Sequence, residues 1–135
     1  MLEQEVRLTA ETEMVQIWLL LSIADGYEMI GETKRALSLL DQWRVVRDKL
    51  DIGGGDSLFY CLRARLSLRD SSDDQAEKNF RKAIEMAVVR HARSWELRSS
   101  LGLAQLLAKQ GRRDEARTML AESITGSAKA STPLI

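Results

Sequence analysis

Residues 103–120 read LAQLLAKQGRRDEARTML; the same pattern stands at 63–80 as RARLSLRDSSDDQAEKNF and at 23–40 as IADGYEMIGETKRALSLL. Ala24, Ala64 and Ala104 share one register position, and Ala36, Ala76 and Ala116 a second. Leu40, Phe80 and Leu120 hold a third, and Gly31, Ser71 and Gly111 a fourth. A fixed period between roughly 20 and 50 residues marks one supersecondary unit stacked on copies of itself.

The third copy shows what the unit is. Trp95, Leu97, Leu101, Leu103, Leu106 and Leu107 recur at helical spacing between Ser94 and Gln110. Ser94 is the expected N-cap, and Gly111 the expected stop, because glycine takes the left-handed conformation at little cost. A second helix follows with Asp114 and Glu115 in its first turn, and Ala116, Met119, Leu120, Ser123 and Ile124 on its buried side. The first copy repeats this with Trp18, Leu19, Leu20, Ile23, Ala24 and Tyr27, then Ala36, Leu37, Leu40, Trp43 and Val46. In the second, the turn Asp70-Ser71-Ser72-Asp73 substitutes capping residues for glycine. Ile52-Gly53-Gly54-Gly55 reads as a flexible hinge, and Arg90-His91-Ala92-Arg93 as a stiff basic connection.

Leu103-Ala104, Leu107, Lys109-Gln110-Gly111 and Asp114-Glu115-Ala116 with Leu120 resemble the tetratricopeptide repeat, although Ser100 stands where that family places Trp. The resemblance implies an all-α, right-handed α-α superhelix of three helical hairpins, with repeats at about 11–50, 55–91 and 94–124 in one domain, 1–124. Residues 125–135 read as a flexible tail. A narrower likeness covers Ala76–Ile84, Ala92–Arg98 and Gly111–Ala116, with Ser94-Trp95-Glu96-Leu97-Arg98 its most specific string. These are similar to the C-terminal repeats of bacterial signalling proteins that couple a class III adenylate or guanylate cyclase, or another module, to a predicted ATPase. Neither the cyclase nor the ATPase portion is present, so neither activity transfers.

Composition narrows the function. The 135 residues are 44% hydrophobic and 30% charged, with 20 basic against 20 acidic side chains, so no overall field draws the chain to nucleic acid or anionic membrane. The distribution is skewed: residues 1–56 carry 11 acidic and 6 basic side chains, and residues 76–123 carry 6 and 10. No apolar stretch approaches the ~20 residues of a membrane span. One cysteine, Cys61, allows no intrachain disulfide and fits a reducing, cytoplasmic setting. The single histidine, His91, leaves no triad or His-rich metal site to assemble, and reads as a helix C-terminal cap. Gly53-Gly54-Gly55-Asp56 lacks the preceding strand and following Lys-Ser/Thr of a phosphate loop. No catalytic group, cofactor or metal site is expected, and the chain reads as a non-enzyme.

What remains is a surface. In tetratricopeptide repeats the first helix of each pair lines a concave groove. Register then nominates Asp25, Glu28 and Met29 in the first copy, Cys61, Arg65 and Arg69 in the second, and Arg98, Gln105 and Lys109 in the third. A merely solvated outer face is the competing reading of the same positions. The expected partner is a protein or peptide, bound by a scaffold or regulatory module. The alternative is a ligand-sensing regulatory domain. Residues 1–8 fall in register with 41–48 and 81–88, so the chain reads as starting inside a preceding repeat. With no polar helix closing the third copy, open apolar ends and homo-oligomers are also expected.

Overall fold

A computed structural model describes residues 17–50 and 55–131, and all secondary structure among them is helical. Residues 17–29 form α1. The helices α2 (Thr33–Leu50), α3 (Asp56–Arg69), α4 (Asp73–Val89), α5 (Arg93–Lys109) and α6 (Arg113–Ser131) follow. The chain divides into two compact units, Met1–Gly55 and Asp56–Ile135. Most of the expected hinge, residues 52–54, lies outside the described residues, as do residues 1–16 and 132–135.

One turn recurs at four junctions. Gly31, Ser71, His91 and Gly111 have φ of 84°, 59°, 56° and 81°. In each case the next residue donates its N–H back across the reversal: Glu32 to Tyr27, Ser72 to Ser67, Ala92 to Ala87 and Arg112 to Leu107, all at 2.8 Å. The left-handed residue itself donates to the carbonyl three before it, so two orphan carbonyls of the ending helix are satisfied. The residue after it, Glu32, Ser72, Ala92 or Arg112, also opens the next helix, because its carbonyl accepts from Ala36, Ala76, Glu96 or Ala116. Ala92, not Ser94, is therefore the N-cap of α5, and neither it nor Ser72 caps with a side chain. Backbone reversal alone fixes where these helices begin.

In the first unit, Ile17, Leu20, Leu21 and Ala24 of α1 are buried, as are Ala36, Leu40 and Trp43 of α2. The Arg35 guanidinium lies 5.7 Å from the centre of the Tyr27 ring. Gly55 has φ 78°, and a Cβ there would sit 2.9 Å from Leu21 Cδ1 and 3.3 Å from Trp43 Cζ2. Both backbone and space demand glycine. Trp18, expected in the core, is 53% exposed, as are Leu19, Ile23 and Leu37 to similar degrees.

In the second unit each helix packs on the one before it, and α5 also meets α3. The core joins Ala64, Ala76, Phe80, Ala83, Leu103, Leu107 and Ala116. Alanine dominates because helices carrying small side chains at the crossing can approach closely. Two buried hydroxyl contacts add direction: Ser57 Oγ donates to the Ala83 carbonyl at 2.9 Å, and Ser100 Oγ lies 2.7 Å from Ser123 Oγ. Ile124 is exposed, against expectation, and α6 runs on to Ser131, past the point where sequence places the tail.

A four-charge cluster ties α4 to the start of α6. Arg112 Nη1 donates to Glu77 Oε1 at 2.8 Å, and its Nη2 and Nε to Glu115 Oε1 and Oε2, both at 2.8 Å. Arg81 Nη2 bridges the same two carboxylates at 2.9 and 3.2 Å. The Arg112 hydrogen bonds hold the Glu77 and Glu115 carboxyls below their ordinary range.

Carboxyls depressed in the folded state stabilise it above the unfolded value of about 4.3. That contribution drains away as pH falls through the lower folded values. Thermal melts should therefore drop between pH 5 and 3, and the drop should be shallower in Glu77→Gln, which should also melt a few degrees lower at neutral pH. Relief of the left-handed strain predicts the opposite sign: Ser71→Gly and His91→Gly should each stabilise by about 0.5–1 kcal/mol in denaturant titrations.

Candidate functional site

A concavity of the second unit opens between α3 and α5, with a volume of about 400 Å³. Cys61, Arg65 and Leu68 come from α3 at spacings of four and three, and so share one helical face. Trp95, Arg98, Leu101, Gln105 and Lys109 do the same along α5, and Phe80 of α4 and Leu106 form the floor. The lining carries three cationic side chains and no carboxylate over an apolar base. The Arg98 guanidinium stands 4.8 Å from the centre of the Trp95 ring, an arrangement that presents its planar donors beside an aromatic face. Such a surface suits a ligand that pairs an anionic group with an apolar one.

The floor depends on Gly102. A Cβ at that position would lie 2.5 Å from Phe80 Cε1 and 2.8 Å from Cζ, and Phe80 is only 1% exposed. The missing side chain lets the ring slide under α5, drawing the two helices together beneath the groove.

Of the nominated positions, Cys61, Arg65, Arg98, Gln105 and Lys109 meet in this one concavity. Arg69 ends α3, exposed, and does not line it. Asp25, Glu28 and Met29 belong to α1 in the other unit. Met29 is 67% exposed there, but Glu28 is 5% exposed, which corrects its assignment to a solvated groove wall. A glutamate at a helix end looks solvated from sequence; only its surroundings show it to be enclosed. Trp95 and Leu101, which the sequence shows only as members of an apolar helical stripe, line the groove. Their spacing of three from Arg98, on either side, is the signal that could have placed them on its face.

Two other hollows flank the unit. One, about 410 Å³, lies among Ile84, Val88, His91, Met119 and Glu122; the other, about 310 Å³, lies on the outer face of α5 and α6. Among the described residues no group of three or more His, Cys, Asp or Glu side chains could hold a metal ion. No helix among them is long and apolar enough to cross a membrane.

Comparison with protein-family models, with curated proteins and with solved structures returns no match to this chain.

Alanine normally improves a helix by about 1 kcal/mol over glycine. At Gly102 the Phe80 ring reverses that sign, since overpacking a fixed core costs about 1–3 kcal/mol. Gly102→Ala should therefore lower stability in urea titrations, and the double variant Gly102→Ala/Phe80→Leu should recover part of the loss.

Proposed function

We propose that this chain is a non-enzymatic, tetratricopeptide-like interaction module that takes an acidic peptide with an apolar side chain in the groove between α3 and α5. The threefold sequence register, the repeated turn and the contact of α3 with α5 support a superhelical stack of three hairpins. The observation that carries the functional reading is the convergence of Arg65, Arg98 and Lys109 over Phe80, Trp95 and Leu101. Guanidinium and ammonium groups would engage carboxylates at the rim, while the apolar floor supplies the anchor. The likeness to the C-terminal repeats of cyclase–ATPase signalling proteins suggests a scaffold or regulatory role in the cytoplasm.

The groove volume also falls within the roughly 300–1,000 Å³ typical of small-molecule sites. That observation favours a second reading, a ligand-sensing regulatory domain answering to an anionic metabolite.

Selection from a random peptide library separates the readings. Enriched sequences should place Asp or Glu within a few residues of an aromatic or aliphatic anchor. Arg98→Glu and Lys109→Glu should each weaken the selected peptides about tenfold or more by fluorescence anisotropy. Basic consensus peptides, or affinities indifferent to both reversals, would sink the groove assignment. No peptide enrichment, with thermal stabilisation by small polyanions instead, would favour the sensing role.

A further inference from the structure

The outer face of α5 and α6 is an apolar surface that the described residues cover one repeat earlier and leave open here. Leu101, Ala104, Ala108, Ala116 and Leu120 line its hollow of about 310 Å³, and Leu101 is 53% exposed. At the same register positions one repeat earlier stand Cys61, Ala64, Leu68, Ala76 and Phe80. These pack in one cluster with Leu103, Leu106 and Leu107 of α5. The natural cover for such a face is therefore a helix of the α5 kind.

The sequence holds one in the same register, two repeats before α5. Leu19 and Ile23 of α1 occupy the positions of Ser99 and Leu103. Ser99 and Leu103 are fully buried, whereas Leu19 and Ile23 are 52% and 47% exposed. A Cβ added at Gly26, the counterpart of Leu106, would meet nothing within 4 Å. The α1 face is thus built like the α5 face and, among the described residues, stands open.

Charge and size also match. Inside the second unit Glu77 of α4 pairs with Arg112 at 2.8 Å. The register counterpart of Glu77 is Arg117, and that of Arg112 is Glu32, so the same pair recurs with its signs exchanged. Arg117 and Glu32 are both exposed and make longer local pairs, with Asp114 at 3.6 Å and Arg35 at 3.8 Å. Likewise the tight fit of Phe80 on Gly102 becomes the smaller Leu120 opposite the larger Ser22.

We infer that the α5/α6 face of one molecule receives the α1 face of a second copy, head to tail, with Arg117 meeting Glu32 of the neighbour. The two surfaces differ, so the contact is heterologous and repeats from copy to copy, building a ring or an open chain of more than two molecules. This surface adjoins the α3/α5 groove and shares Leu101 and Gln105 with it, but Ala108 and Ile23, the positions that test it, line no part of the groove.

Sedimentation equilibrium of the full chain tests it. The average mass should climb steadily with concentration instead of stopping at two copies. Ile23→Glu blocks the head and Ala108→Glu blocks the tail, both at exposed helical positions whose folding circular dichroism can verify. Each variant alone should be monomeric, and an equimolar mixture should give a dimer and nothing larger. Arg117→Glu and Glu32→Arg should each weaken association several-fold, and combining them in one chain should restore it. A wild-type chain that stays monomeric at millimolar concentration would overturn the inference. So would a tail-blocked variant that still self-associates alone, or charge reversals that fail to compensate.

Discussion

The turn that closes one helix and opens the next with a single residue is the constraint from which the rest of this structure follows. At Gly31, Ser71, His91 and Gly111 the backbone enters the left-handed region. The following residue then spends its N–H on the helix behind and its carbonyl on the helix ahead. No slack remains between helices, so their relative direction is set by hydrogen bonds and not by a loop. Three of these turns, at Ser71, His91 and Gly111, are evenly spaced along the chain, so the connection between repeats is built as the connection within them is. Ser71 and His91 adopt this conformation without glycine's freedom, which means packing on either side outweighs roughly 1–2 kcal/mol of local strain.

Helices delivered at fixed angles can stack only if their contacting faces are small. The fully buried Ala64, Ala76 and Ala83, with Gly102 admitting the Phe80 ring, meet that need in the second unit. The consequence is functional. With α5 seated on Phe80, side chains of α3 and α5 stand on either side of that ring, and the space between them is the groove. Its cationic rim and apolar floor are by-products of a helix face whose inner side is committed to packing.

Electrostatics act at a second level. The Arg112 guanidinium, at the entry to α6 and held by Glu77 of α4 and Glu115 of α6, registers α4 against α6 where side chains must span the distance. Such exposed pairs add little stability individually, but a closed cluster with bidentate geometry fixes alignment. The reversal of sign at the equivalent positions, Glu32 and Arg117, gives the same device an outward use.

Much was legible in the sequence by itself. The register of Ala24/Ala64/Ala104 and Ala36/Ala76/Ala116 determined the order of the helices and the turns at Gly31, Ser71 and Gly111 that separate them, because backbone hydrogen bonding and helical periodicity are local. It also nominated Arg65, Arg98, Gln105 and Lys109 as neighbours. Tertiary structure decided the rest. Burial of Glu28, exposure of Trp18 and Ile124, and the place of Trp95 and Leu101 on the groove wall depend on which surfaces lie opposite. Whether Ser94 or Ala92 begins α5 depends on a left-handed His91 that its composition does not announce. A residue's periodicity says which face it is on; only the packed neighbours say whether that face is covered.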